Sequence, residues 1–290
     1  MTMTESQPQT QTELKPKAQS TRPKARRRLT IYGARVAVLV ALLAAWEYLP
    51  RIDWLSQRYR FLDPFFISSP STAVGATIDY MFGRHDRPLI WPYLWETVSG
   101  ALEGLAIGSV IGFALGLLMS SLPWTYEVFG IYINAVNSVP RIALVPIIIA
   151  VAGTGRAAEI VAVVLSVFFV VFFNCLEGGQ RVPKAVLDNS RVLRASPWRT
   201  MLRIRIRYVS LWAFASIPNA TAFSILGVIF VQMLAGTGGI GVLMLVATNN
   251  IDTTSSISLI IFLSVAGVVM VRLGELAKRR LLRWAEEDPR

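Results

Sequence analysis

The sequence is poor in the residues from which metal sites and covalent catalytic sites are built. Its 290 residues contain one cysteine, Cys175, and one histidine, His85. A lone cysteine cannot form an intrachain disulfide or a cysteine cluster, so neither a metal site nor a catalytic residue is predicted. The phosphate-binding motif Gly-x-x-x-x-Gly-Lys-Ser/Thr is also absent, which predicts that this chain has no nucleotide site and no cofactor of its own.

Charge is scarce as well, and it is unevenly spread. Charged residues make up 16% of the chain and hydrophobic residues 53%, a composition typical of a protein whose solvent is the lipid bilayer. The net charge of +11 would suit nucleic acid, but the lysines and arginines lie in three blocks separated by apolar runs. Residues 15–35 and 177–207 hold eight basic residues each, and 272–290 hold six. Such blocks encode membrane topology, so no nucleic-acid partner is predicted.

Long apolar runs define the candidate spans, because about 20 apolar residues cross the ~30 Å core of a bilayer. The run 208–251 is too long for one helix, so six or seven spans are possible. Six spans place all three basic blocks on the cytoplasmic side, whereas a seventh places the last block outside. We therefore predict an all-α integral membrane protein of the plasma (inner) membrane, with about six transmembrane helices and both termini cytoplasmic. The predicted spans are 31–49, 95–119, 126–152, 158–176, part of 208–251, and 254–272.

The remaining segments complete the predicted organisation. Residues 1–30 are polar and basic with almost nothing to bury, which predicts a disordered cytoplasmic tail. Residues 31–284 form the transmembrane domain, and 285–290 form a short C-terminal tail. Residues 64–70 are expected to lie at the membrane interface rather than to span it.

The loop 177–207 between spans four and five is predicted to form two short helices. Pro183 precedes the first, and Ser196-Pro197 begins the second as an N-cap followed by proline at the first helical position. A basic helical hairpin fixed between two spans is suited to receive force from a soluble motor. The alternative is that its arginines only fix topology or contact anionic lipid. Three residues share one apolar face of the second helix at helical spacing: Trp198, Met201 and Leu202.

Several segments resemble the inner-membrane permeases of binding-protein-dependent ABC importers, specifically the nitrate, sulfonate and taurine type. The stretch VPRIALVP at 139–146 and the GTG at 153–155 have the family's sequence and spacing. The segments GSVIGFALGLLM at 108–119, VQML at 231–234, GGIG at 238–241 and RRLLRW at 279–284 are similar to the family's second span, the end of its fifth span and its C-terminal tail. The resemblance extends over residues 31–284 in order.

The loop has the family's spacing but few of its consensus letters. The family reads Glu-Ala-Ala, three residues, Gly, nine residues, then Ile-x-Leu-Pro, and this chain has DNS at 188–190 and IRIR at 204–207. Arg194 replaces the glycine, so we expect no left-handed backbone there, and therefore a heteromeric permease whose other subunit has the regular loop. The resemblance assigns the contact with the ATPase to these residues: Asp188, Asn189, Ser190, Arg194, Trp198, Met201, Leu202 and Ile204.

The resemblance implies that this chain is the permease subunit of an importer for a small solute, for example a nitrate-, sulfonate- or taurine-like one. Its partners would be cytoplasmic ATPase subunits that bind the ATP, an extracytoplasmic solute-binding protein, and a second permease subunit, identical or different. A secondary transporter or a channel of the plasma membrane is the alternative, although the expected internal repeat is not found.

Charged and polar residues inside predicted spans mark candidates for the transport pathway. Glu103 and Arg141 have similar expected depths, so we predict that they form an ion pair on the pore side of spans two and three. Arg141 could instead satisfy carbonyls freed around Pro140 and Pro146. Gln232 is a third candidate, because it stands where glutamate is usual in the family.

Small residues recur every four positions along the second predicted span, which places them on one helix face. Such a face lets two backbones approach closely, so we predict that it packs against another span or against a second subunit. The five residues are Gly100, Gly104, Gly108, Gly112 and Gly116.

Overall fold

The computed structural model describes residues 22–52, 54, 58, 59, 63 and 67–282, and its regular structure in these ranges is entirely helical. The predicted all-α membrane fold is confirmed. The helices are α1 (Arg22–Tyr48), α2 (Pro70–Phe82), α3 (Ile90–Ser121), α4 (Pro123–Asn137), α5 (Val145–Ala152), α6 (Arg156–Gln180), α7 (Lys184–Val192), α8 (Pro197–Thr200), α9 (Ile206–Ala215), α10 (Ile217–Ala235), α11 (Gly239–Asn249) and α12 (Thr253–Leu281).

Five helical segments of the described chain are long and apolar enough to cross a membrane, and a sixth span forms if the bent pair of α4 and α5 counts as one. The long run 208–251 contains one of these five, Ile217–Ala235. Gly236 ends that helix in the left-handed conformation, with its N–H bonded to the carbonyl of Gln232. The next helix, α11, is too short to span, so the described residues contain at most six candidate spans, in agreement with the prediction of about six.

The third predicted span is not a continuous helix. The segments Trp124–Asn137 and Arg141–Ala152 meet at an angle of 79°, and Arg141–Leu144 forms a 3₁₀ turn between α4 and α5. Pro140 lacks an N–H, and its ring disfavours helical backbone at the residue before it, so the helix stops at Asn137. The expectation of one helix over 126–152 is therefore wrong.

The core of the fold is the contact between α3 and α6, which run parallel: Gly104 faces Val163 and Gly116 faces Cys175. All five glycines of the stripe are buried in it. A Cβ on Gly108 would lie 3.0 Å from the Cβ of Val167, and a Cβ on Gly112 would lie 2.9 Å from the carbonyl oxygen of Phe168. The glycine face therefore packs backbone to backbone against α6 of the same chain.

Helices α1 and α2 lie at the edge of this core. Helix α2 packs along α12, where the hydroxyl of Ser258 donates to the carbonyl of Ala73 at 3.0 Å. Glu47 at the end of α1 accepts hydrogen bonds from the backbone N–H and the hydroxyl of Ser71, at 3.0 and 2.8 Å. From Thr30 to Leu43 the residues of α1 are exposed within the chain, which leaves their apolar side chains for the bilayer.

The predicted tails lie largely outside the described residues, which exclude 1–21 and 283–290. Helix α1 already begins at Arg22, inside the predicted tail 1–30. Lysine and arginine are good helix formers, so a basic segment can extend an apolar helix that follows it.

Candidate functional site

The loop between α6 and α9 forms a compact helical hairpin, here defined as residues 181–205. It contains α7, α8 and a π-helical turn, Met201–Arg205. The hydroxyl of Ser196 accepts from the N–H of Arg199 at 3.3 Å, and Pro197 occupies the first helical position. The start of α8 therefore has the N-cap that its sequence predicts.

Arg194 ends α7 in the left-handed conformation, with φ of 50°. The N–H of Arg194 bonds to the carbonyl of Arg191 at 2.9 Å, and the N–H of Ala195 bonds to that of Ser190 at 2.9 Å. This pair of bonds is a Schellman motif, which glycine normally supplies. The expectation that arginine excludes the left-handed backbone is wrong, because these two bonds offset the steric cost at Arg194.

The surface of the hairpin differs from the predicted apolar face. Trp198 and Leu202 are exposed, at 63% and 43%, but Met201 is 8% exposed and packs in the core with Val209. Met201 lies about 100° around the helix from Leu202, and this side of the hairpin faces the core, so only part of the predicted face is exposed. Met201 is therefore not part of the hairpin's outer surface.

Other apolar residues take its place on that surface. Val192 and Leu193 at the end of α7 are both 81% exposed. A groove of about 460 Å³ runs between the two helices, with Arg199, Arg203 and Ile204 on its lining. The hairpin thus presents exposed apolar side chains among arginines, a composition found at the centre of protein interfaces.

The three residues 188–190, which correspond to the family's Glu-Ala-Ala, differ in their exposure in α7. Asp188 forms an exposed ion pair with Arg191 at 3.1 Å, and Asn189 lies beside the groove. Ser190 is buried, and its hydroxyl donates to the carbonyl of Leu187 at 2.6 Å. Ser190 therefore holds α7 together, whereas Asp188 and Asn189 face outward.

Arg205 ties the hairpin to the ends of two membrane-spanning helices. Its Nη1 donates to the carbonyl of Ser120 in α3 and, at 3.0 Å, to the carbonyl of Gly179 in α6. Both carbonyls belong to last turns, where helical partners are missing. Burial lowers the pKa of the Arg205 guanidinium, and the positive charge of Arg191 lowers it further, yet an arginine remains protonated.

Glu103 does not pair with Arg141. It accepts two hydrogen bonds from Arg156, from Nη2 at 2.7 Å and from Nε at 3.1 Å. Arg156 begins α6 directly beside α3, whereas Arg141 lies at the break in the third span and contacts Phe169 of α6 and Phe223 of α10. The predicted pair is wrong because its depth estimate assumed a straight third helix.

Gln232 lies at the centre of a buried polar network. Its amide nitrogen donates to Glu159 at 2.9 Å, and its amide oxygen accepts from the hydroxyl of Thr97 at 2.9 Å and from the N–H of Gly241 at 3.1 Å. The exposures of Gln232, Glu159 and Thr97 are 0, 2 and 1%, so the network is shielded from solvent within the chain.

The same network holds the first turn of α11. The N–H of Gly239 donates to Glu96 at 2.7 Å, and that of Ile240 donates to Thr97 at 2.8 Å. Helix α11 thus receives side-chain partners from α3 and α10 for N–H groups that a helix start leaves unpaired. Glu96, Thr97 and Glu159 were not among the residues predicted from the sequence. A signal was present in Arg156 and Glu159, opposite charges three residues apart at the start of a span.

Arg141 lies at the break of the third span, on the lining of a cavity of about 340 Å³. Its Cζ is 5.4 Å from the ring centroids of both Phe169 and Phe223. Its Nη2 donates to the side-chain oxygen of Asn137 at 2.6 Å. Two aromatic faces therefore stabilise the guanidinium by cation–π contacts where no carboxylate pairs with it among the described residues.

This architecture agrees with a known family of membrane proteins. Residues 105–283, well over half of the chain, match the family described as the binding-protein-dependent transport system inner membrane component. The chain belongs to this family. The predicted function, a permease subunit of an ABC importer, is confirmed, and the alternatives of a secondary transporter or channel are set aside.

Curated relatives of this permease are similar over most of their length. The riboflavin transport system permease protein RibX of Chloroflexus aurantiacus is 22% identical over 220 residues, covering 76% of this chain and 81% of the relative. The nitrate import permease protein NrtB of Synechocystis sp. is 24% identical over 256 residues, covering 83% and 88%. The putative aliphatic sulfonates transport permease protein SsuC of Escherichia coli is 24% identical over 249 residues, covering 84% and 89%.

A solved structure has the same fold. An inward-facing structure of the MetNI methionine ABC transporter contains a chain that is 19% identical to this permease, with a TM-score of 0.52. The match covers 66% of this chain and 93% of that chain. The likeness extends the family match from sequence to the arrangement of helices.

Proposed function

We propose that the permease forms the pathway for a small solute across the plasma membrane, and that a separate ATPase subunit drives it by docking on the hairpin. The ATPase binds the nucleotide, since this sequence has no phosphate-binding loop. An extracytoplasmic solute-binding protein delivers the solute, and a second permease subunit completes the pathway.

The exposed apolar surface of the hairpin is the observation that supports this assignment. Val192, Leu193, Trp198 and Leu202 are large apolar side chains that lie outside the spans and are 43 to 81% exposed. Their exposure to water is unfavourable, and tryptophan and arginine are the residues most enriched at binding hot spots. A soluble partner that covers this surface removes that cost.

Arg205 supplies the mechanical link that such a motor needs. Because its guanidinium joins the carbonyl ends of α3 and α6, a displacement of the hairpin displaces both helices. These two helices also form the tightest contact of the fold, so they respond as one unit. Force on the hairpin therefore reaches the membrane core without passing through a flexible linker.

The distribution of basic residues supports a cytoplasmic position for the hairpin and for both termini. Eight lysines and arginines lie in the loop 177–207, and the other two basic blocks fall on the same side if the chain has six spans. The ATPase then meets the hairpin in the compartment that contains ATP.

The names of the relatives favour a small solute of anionic type. Two of the three relatives described above are named for nitrate and aliphatic sulfonates, and another relative is named for bicarbonate, although one is named for riboflavin.

The case for a heteromeric permease is weaker than the sequence implied, since Arg194 adopts the backbone that glycine would adopt. A homodimer is therefore the simpler assembly.

Trp198→Ala tests the docking assignment. The variant should lower the amount of ATPase that copurifies with the tagged permease, and the ATP hydrolysis of the purified complex, by about tenfold, since a tryptophan hot spot contributes about 2 kcal/mol or more. Trp124→Ala is the matched control, because Trp124 is similarly exposed, at 58%, but lies in α4 outside the hairpin. Equal recovery of ATPase and equal hydrolysis in Trp198→Ala and Trp124→Ala would contradict the assignment.

A further inference from the structure

The cavity at the break of the third span has one charged residue on its lining. It lies between the broken span, α6 and α10, and its walls include Val145, Phe223, Leu226 and Phe230. Arg141 is the charged residue among the described residues that line it. A volume of about 340 Å³ is at the small end of the range for ligand pockets, about 300–1,000 Å³.

The guanidinium of Arg141 has unused hydrogen-bonding capacity. Its Nε is buried and has no hydrogen-bond partner among the described residues. A buried donor without a partner costs about 1–3 kcal/mol, so the protein alone does not fully satisfy this guanidinium. Arg141 does not satisfy carbonyls freed by the helix break, because its hydrogen bond goes to the side chain of Asn137.

The surroundings of Arg141 select the charge of a ligand. An anion that meets the guanidinium gains charge-assisted hydrogen bonds, which are about twice as strong as neutral ones. A second negative charge on the same ligand would have no positive partner on this lining, and an unpaired charge within the membrane is costly. Helix α5 also begins at Val145 on the cavity wall, and the positive end of its dipole favours an anion.

We propose that this cavity is a transient binding site for the transported solute, and that it selects a small, singly charged oxyanion. The planar guanidinium binds the oxygen-bearing head group, and the aromatic and aliphatic walls contact the remainder. Phe169 and Phe223 both contact the guanidinium of Arg141, which favours one position of the side chain and preorganises the site. This inference rests on the proposed importer function and adds the place and the charge of its substrate.

Direct binding tests the site without relying on transport. The permease is purified with its ATPase, placed in lipid nanodiscs, and titrated with radiolabelled methanesulfonate in the absence of nucleotide and binding protein. We expect saturable binding, competition by nitrate, and at least about tenfold weaker competition by sulfate and by dimethyl sulfone. Dimethyl sulfone is a neutral molecule of nearly the same shape, so it isolates the contribution of charge.

Substitutions assign the binding to Arg141. Arg141→Gln should weaken methanesulfonate binding at least about tenfold. Arg272→Gln is the matched control and should not change it, because Arg272 lines a different cavity, where Glu275 already pairs with it at 3.1 Å. If Arg141→Gln fails to assemble, Arg141→Lys decides, since lysine lacks the planar guanidinium and should bind at least about threefold more weakly than the wild type.

Several results would overturn the proposal. They are wild-type affinity in whichever Arg141 variant assembles, equal competition by dimethyl sulfone, or no saturable binding of methanesulfonate or nitrate to the wild type. If any of these occurs while the wild-type complex retains its ATPase and hydrolyses ATP, the anion site is wrong and the importer function stands. If no ATPase associates with the permease, the importer function itself fails, whatever the binding result.

Discussion

Two regions of this permease favour glycine for different reasons, and only one of them has it. Along α3, five glycines remove side chains so that the backbone of α6 can approach. In the hairpin, position 194 adopts a left-handed backbone that glycine would adopt freely, but the residue there is arginine. The first need is steric and concerns a neighbouring helix, whereas the second is local and concerns one dihedral angle.

The difference shows which constraints a fold can relax. An added side chain between α3 and α6 must displace a whole helix, because packed interiors have little free volume. A non-glycine residue in the left-handed region costs about 1–2 kcal/mol, and two hydrogen bonds at the end of α7 can offset that. The helix contact therefore requires glycine, and the hairpin only prefers it.

The largest expected effect comes from filling the helix contact. Gly104→Leu should destabilise the permease by about 3 kcal/mol, at the upper end for overpacking, because even a Cβ at Gly104 overlaps the side chain of Val163. Thermal unfolding of the purified protein measures this. Gly33→Ala is the matched control in another apolar helix, where nothing lies within 4 Å of the added Cβ, and it should be neutral or slightly stabilising. Equal unfolding temperatures for Gly104→Leu and the wild type would show that α6 yields easily.

A smaller loss of stability is expected from breaking the buried polar network, in which Gln232 joins α10 and α11 to α3 and α6. Gln232→Leu keeps the volume but removes the partners of Glu159, Thr97 and the N–H of Gly241, which should cost about 1–3 kcal/mol. Asn249→Leu replaces an exposed amide on α11 and should change stability by less than about 0.5 kcal/mol. If the two variants unfold at the same temperature, the network does not stabilise the fold.

The smallest effect tests the hairpin side of the comparison. Arg194→Gly should stabilise the end of α7 by up to about 1 kcal/mol, because glycine adopts the left-handed backbone without strain. Arg191→Gly, three residues earlier in helical backbone, should have the opposite sign, by about 0.5–1 kcal/mol. Hydrogen exchange of peptides from the hairpin measures both. Faster exchange in Arg194→Gly than in the wild type would show that the arginine side chain stabilises this turn.

The sequence was most informative where the signal is repeated along the chain. The apolar runs predicted the spans, and the four-residue spacing from Gly100 to Gly116 predicted a close helix contact. The N-cap of α8 was also predictable, since Ser196 caps this helix and Pro197 occupies its first position, as the sequence predicts. Each of these features depends on local pattern, which does not require knowledge of what lies nearby.

The sequence was least informative where a partner comes from elsewhere in the fold. Arg156 lies between the predicted spans 126–152 and 158–176, and its ion pairs with Glu103 and Glu159 appear only in the folded chain. Met201 was predicted on the outer apolar face with Trp198 and Leu202, but it packs in the core cluster that includes Val209. The 79° bend in the third span places Arg141 away from Glu103. Pro140 could have predicted this bend, because proline commonly interrupts a helix.

The capped start of α11 determines how this short helix can move. Three successive N–H groups, at Gly239, Ile240 and Gly241, are held by side chains from α3 and α10. Tilting α11 away from α3 and α10 would break all three hydrogen bonds together and leave three N–H groups unpaired. A partly displaced α11 is therefore not a stable intermediate. Helix α11 is therefore expected to move as a rigid body together with α3 and α10.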